Sequence, residues 1–117
     1  MNPFDELDPL LQHKLRLGAC VLLSKTESLS FSKLKETLGA TDGNLGAQLT
    51  KLEEHGYLSV TKEFVKKKPV TWYSLTAKGR KAMNKHLDAL QEILAVREST
   101  PSRKPSSAKA TLIPKNA

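Results

Sequence analysis

Thr41-Asp42-Gly43-Asn44-Leu45-Gly46-Ala47-Gln48-Leu49-Thr50-Lys51-Leu52-Glu53-Glu54-His55-Gly56 is the stretch on which the fold turns. Leu45, Leu49 and Leu52 recur at i, i+4 and i+7, the spacing of one helix face turned into a core. Thr41 or Asp42 can accept hydrogen bonds from the free N–H groups of the first turn, and Gly56 ends the helix. Asn44, Ala47, Gln48 and Lys51 then lie outside. Two β-rich segments follow, Tyr57-Leu58-Ser59-Val60-Thr61 and Thr71-Trp72-Tyr73-Ser74-Leu75. Their partial alternation predicts a hairpin with one buried face. Lys66-Lys67-Lys68-Pro69 and its flanks connect them. Pro69 cannot donate to a ladder, which puts it at the tip or the start of the returning strand.

Upstream, Asp8-Pro9 reads as a cap with proline at the first helical position, so a helix is expected from there to about Ser24. Leu11, Leu15, Ala19, Leu22 and Leu23 give it a buried stripe. Ser28-Leu29-Ser30-Phe31 reads as a minimal strand. Ser32 can cap a second helix carrying Leu34 and Leu38, stopped by Gly39. Two helices joined by a tight glycine-containing turn form a helix-turn-helix. Downstream, Thr76 caps a last helix to about Arg97. From about Glu98 the composition shifts to Ser, Thr, Pro, Lys and Ala with little to bury, which predicts a disordered basic tail over 98–117.

The 117 residues suffice for one modest core. Residues 62 to 85 hold eight Lys or Arg against the single acid Glu63, which equals the whole net charge of +7. A basic excess concentrated on one hairpin and the next helix fits a polyanion, although a solvated face would read the same on charge alone. The lone Cys20 excludes an intrachain disulfide; its apolar surroundings favour a small buried hydrophobe over a redox sensor. A cytoplasmic setting is expected, with no membrane span. His13, His55 and His86 are scattered, so no metal site is expected, and His55 suits the C-terminal end of a helix dipole. Asp5, Glu6 and Asp8 read as a surface cluster at a mobile terminus. No nucleophile has a paired base and no glycine-rich phosphate loop occurs. Neither catalysis nor a cofactor is implied.

Asn and Gln amides can pair with adenine in the major groove, and Lys can reach guanine or a phosphate. Gly43 and Gly46 each cost about 1 kcal/mol relative to Ala within a helix. Two explanations stand: close approach of the backbone to another surface such as DNA, or a first-turn position for Gly43 and tight helix packing for Gly46.

The order helix, short strand, helix, helix, strand, basic wing, strand, helix is mainly α with a small β-hairpin (α+β). It resembles the winged helix-turn-helix of MarR- and ArsR-type bacterial and archaeal transcriptional regulators. Leu29-Ser30-Phe31-Ser32-Lys33-Leu34, Asp42-Gly43-Asn44-Leu45, Leu52-Glu53-Glu54-His55-Gly56-Tyr57 and Tyr73-Ser74-Leu75-Thr76-x-x-Gly79 look like small stand-alone members of that group. The resemblance implies one DNA-binding domain over 1–97, with a recognition helix at about 42–55 and a dimerisation helix at about 76–97. It implies double-stranded DNA and a second copy of the chain as partners. Thr41, Asn44, Ala47, Gln48, Lys51, Lys66, Lys67, Lys68 and Thr71 are the DNA contacts expected under it. Met83, Leu87, Leu90 and Leu94 are the expected dimer contacts.

The wing departs from the pattern, with three lysines where arginine and glycine are common, which favours phosphate contact over minor-groove reading. The leucine stripe of the last helix would stay wet in a monomer unless it packs back entirely on its own core. An alternative use of the same fold is docking of an acidic protein partner by the basic wing. A small-molecule effector would sit between the first and last helices, and no polar constellation there identifies one.

Overall fold

The computed structural model describes residues 2–98. Two short 3-10 turns, Pro3–Glu6 and Pro9–Gln12, lead into α1 (Lys14–Leu23), β1 (Leu29–Ser30), α2 (Phe31–Leu38), α3 (Asp42–Glu54), β2 (Leu58–Val65), β3 (Lys68–Leu75) and α4 (Ala77–Glu98). The strands form one antiparallel sheet in the order β1-β3-β2. This is the α+β winged arrangement that the sequence predicts. The basic tail expected over 98–117 lies, beyond Glu98, outside the described residues.

Local capping explains where the boundaries differ from expectation. Asp8 does cap and Pro9 does open a helical segment, but it is a 3-10 turn. His13, in extended conformation, interrupts the chain, and its Nδ1 accepts the Leu15 N–H at 3.1 Å to start α1. Ser30, two residues before the expected Ser32, caps α2 by accepting the Lys33 N–H at 3.1 Å. Leu29 and Ser30 pair with Tyr73 and Trp72, so the strand runs directly into that cap. Gly39 closes α2 with φ 62°, a left-handed conformation that glycine adopts without a Cβ penalty. β2 and β3 extend well beyond 57–61 and 71–75 because backbone pairing continues through the polar wing, where side-chain alternation no longer signals it.

Leu11, Ala19, Cys20, Leu23, Leu34, Leu45, Leu49 and Leu52 are wholly removed from water, with Tyr57, Leu58 and Met83 completing the cluster. Burying each such leucine stabilises the fold by about 1.5–3 kcal/mol. Burial raises the Cys20 thiol to about 12, so it behaves as the small hydrophobe its neighbours suggest. At the α3–β2–α4 junction Thr76 Oγ1 donates to the Gly56 carbonyl at 2.7 Å and accepts the Gly79 N–H at 2.9 Å. A Cβ at Gly79 would collide with the Tyr57 carbonyl oxygen. The Thr76-x-x-Gly79 spacing therefore records a cap and a backbone contact.

Asp8 is a structural pin rather than a member of a mobile surface cluster. One carboxylate oxygen accepts the Leu10 N–H at 2.9 Å and the other accepts the Tyr57 hydroxyl at 2.5 Å. Its own N–H donates to Nδ1 of His86 on α4 at 2.9 Å. Glu6 faces Lys85 of α4 at 3.3 Å. The bond to Asp8 requires Nδ1 of His86 to be an unprotonated acceptor. Burial lowers the His86 pKa from its ordinary 6.5, with Asp8 opposing.

Because the unfolded chain then binds the extra proton more readily, the His86 contribution is fully present above about pH 7. It is lost as pH falls through 6.5 toward the folded value. Urea unfolding between pH 8 and 5 should show declining stability over that window. His86→Gln, which keeps an acceptor but no titrating ring, should flatten the decline; an unchanged slope would contradict the pin.

Candidate nucleic-acid interface

Thr41 caps α3 by accepting the Asn44 N–H at 3.2 Å, and Nδ1 of His55 lies 2.9 Å from the Lys51 carbonyl at the other end. With Leu45, Leu49 and Leu52 buried, Gly43, Asn44, Ala47, Thr50 and Lys51 are left exposed. Nothing lies within 4 Å of where a Cβ would stand at Gly43 or Gly46. Tight packing inside the protomer therefore does not account for Gly46. By contrast, a Cβ at Gly18 of α1 would meet Leu38 Cδ2 at 2.7 Å, a helix contact the spacing did not announce. Thr50, on the same side as Ala47 one turn earlier, is a further exposed group beyond those expected.

Gln48 is half-buried, and its side-chain oxygen accepts from Arg16 Nη1 of α1, whose Nε donates to the Leu10 carbonyl at 2.6 Å. The expectation of a free outward amide is thus corrected. Gln48 sits where the outer face of α3 borders α1, and three-residue spacing alone does not distinguish the centre of a face from its edge.

In the wing, Val65 pairs with Lys68 across a two-residue turn, Lys66-Lys67, whose φ angles are 53° and 68°. Hairpin turns of this kind require positive φ at both central residues and favour Asn-Gly. Two lysines there hold strained backbone and project ammonium groups from the tip; all three wing lysines are exposed. Thr71 is half-buried in the stem opposite Lys62. Phe64, paired with Pro69 and 77% exposed, is an apolar wing residue that sequence reading passed over. Its signal was visible as Phe64-Val65 directly before the lysines.

The charges are distributed unevenly around α3. Asp42 pairs with Lys35 at 2.8 Å, while Glu53 and Glu54 are exposed at the far end. The acidic end of α3 is thus its C-terminal one, while its first turns present the positive end of the helix dipole.

The expected dimer stripe divides in two. Met83 belongs to the protomer's own core, and Leu87 packs against that core. Leu90 is half-buried and Leu94 is 51% exposed. Methionine and leucine at a regular helical step do not reveal which turns α1 and the N-terminal segment already cover. Among the described residues no group of three His, Cys, Asp or Glu could hold a metal ion, and no helix is long and apolar enough to cross a membrane.

Residues 15–94 match the model of a winged helix DNA-binding domain. An uncharacterized protein of Methanocaldococcus jannaschii is 38% identical over 73 residues, spanning 62% of this chain and 79% of its own. A transcriptional regulator homologue from Pyrococcus horikoshii superposes with a TM-score of 0.77 at 24% identity, over 84% of this chain and 99% of that one. The M. tuberculosis transcriptional regulator MosR, solved in complex with DNA, gives 0.63 at 19% identity, over 89% and 74%. At these identities the two structures show a shared fold.

The strained lysine turn separates stability from binding. Lys66→Asn/Lys67→Gly should raise the unfolding free energy by about 1 kcal/mol, relief of positive-φ strain outweighing the entropy of the added glycine, while weakening duplex DNA binding. Thermal unfolding alongside fluorescence anisotropy checks this; loss of stability, or unchanged binding, would contradict it.

Proposed function

The chain belongs to the family of winged helix DNA-binding domains, and on that premise we propose that it is a homodimeric, sequence-specific regulator of transcription working in the cytoplasm. The first turns of α3 enter the major groove, and the Lys66-Lys67-Lys68 wing holds the flanking backbone. The observation that carries this reading is the open glycine face of α3. Gly43 and Gly46 meet no neighbour of their own, and Ala47, next after Gly46, adds only a methyl group. A bare face beside a lysine turn suits close backbone approach to a polyanion. Asn44 and Lys51 are the side chains placed to contact base edges, with Ala47 and Thr50 offering methyl groups to thymine. Thr41, with its hydroxyl engaged in the cap, and Thr71 of the wing stem complete the proposed contacts.

Dimerisation rests on the outer half of α4. A helix of 22 residues is about 33 Å long, and it packs on α1 and the N-terminal turn, with burial reaching as far as Ala89. Leu90 and Leu94, beyond that cover, suit an isologous contact with a second copy. Two recognition helices would then address half-sites about 34 Å apart.

Two measurements test the reading. Lys67→Ala should weaken binding to all duplexes about equally and reduce the slope of log affinity against log salt by about one. Negligible affinity of the unaltered chain at about 50 mM salt would transfer the basic wing to an acidic protein partner. Light scattering on Leu90→Glu/Leu94→Glu should give a folded protein of half the native mass; an unchanged mass would remove the dimer.

A further inference from the structure

We infer that Arg16 of α1 is a positioning residue for DNA reading: it turns the Gln48 carboxamide so that only its N–H donors face a base, and thereby makes Gln48 select guanine over adenine. This rests on the proposed entry of α3 into the major groove. A freely rotating glutamine presents an acceptor and a donor side by side, which matches N6–H and N7 of adenine. Gln48 is not free, because Arg16 Nη1 donates to its Oε1. The orientation of the amide is fixed by chemistry as well as by coordinates. A guanidinium has five donors and no acceptor, so only the oxygen, never the NH2 group, can face it. Arg16 is itself anchored, its Nε donating to the Leu10 carbonyl at 2.6 Å. The planar fork thus has one prong on the N-terminal 3-10 turn and another on the recognition helix.

Oxygen and nitrogen diverge from the same amide carbon, so an oxygen drawn toward α1 leaves the NH2 group directed away from it. What remains for a base edge is a pair of donors. Guanine offers two adjacent acceptors in the major groove, N7 and O6, and thymine offers O4. Adenine and cytosine each present an amino group that two donors cannot satisfy. The order of preference at the base facing Gln48 is therefore guanine, then thymine, with adenine and cytosine disfavoured. Arg16 need not touch the base. Its effect is on which base is chosen, a quantity that loss of packing alone would not redirect.

The test is selection of bound sequences from a random duplex pool by the full chain, followed by competition titration at the selected site. The unaltered chain should enrich guanine at one position per half-site, and Gln48→Ala should flatten that position alone. Arg16→Met, which keeps the apolar stem and removes the fork, should shift the same position toward adenine. The guanine-to-adenine affinity ratio there should fall at least about fivefold, with other positions unchanged. Arg16→Lys, which keeps the charge but not the planar fork, should shift it in the same direction and decides the matter if the methionine variant does not fold. Adenine at the Gln48-dependent position of the unaltered chain would overturn the inference. So would a guanine preference that survives both Arg16 variants, or a Gln48→Ala profile with no altered position; these leave DNA binding intact. If the unaltered chain enriches no sequence, the inference falls together with the reading beneath it.

Discussion

Burial of Leu45, Leu49 and Leu52 on one side of α3 is the constraint on which the rest of the molecule depends. All three are wholly removed from water against α1, α2 and the sheet, so rotating α3 by even a fraction of a turn would expose leucine and bury polar groups. That burial orients the opposite face, and it leaves Gly43, Asn44, Ala47, Thr50 and Lys51 outward with no freedom to roll. If that face reads DNA as proposed, holding it on a rigid helix would cost little ordering entropy on binding. The Thr41 and His55 ends fix where along the chain that surface starts and stops.

Around this helix the remaining elements divide the work. The wing carries charge at a strained turn, with φ positive at both Lys66 and Lys67, so local stability is given up where ammonium groups must project. The N-terminal segment works in the other direction. Asp8 links the 3-10 turn, Tyr57 just after α3 and His86 on the long helix, so three elements distant in sequence are tied together by hydrogen bonds. Arg16 adds a fourth link from that segment to Gln48. The outer turns of α4 are left with Leu94 half exposed, one of four large apolar side chains that stay open to water among the described residues, with Phe4, Phe64 and Val65.

The fold was legible because its decisive signals are local. The leucine spacing of α3, the Gly39 stop and the Thr41 cap follow from short-range geometry and stand where they were expected, and the β-rich segments fall within longer strands. What escaped the sequence depends on contacts between distant residues. Asp8 looked like one of several terminal acids until Tyr57 and His86 were seen beside it. Gln48 and Met83 looked outward by spacing, yet α1 holds the first and the protomer's core takes the second. Gly18 and Gly79 carry packing demands visible only when Leu38 and the Tyr57 carbonyl are in place. The site was readable as a helix and a basic hairpin, while the roles of its individual side chains required knowing which neighbours had already claimed them.

Whether the face opposite the α3 leucines and the lysine wing together form the DNA surface can be read from amide chemical-shift mapping of the nitrogen-15-labelled chain titrated with duplex DNA. The largest shifts are expected at residues 41–51 and 66–71, with Cys20, Leu23 and Leu34 unmoved. Shifts concentrated on the outer turns of α4, with 41–51 silent, would contradict it.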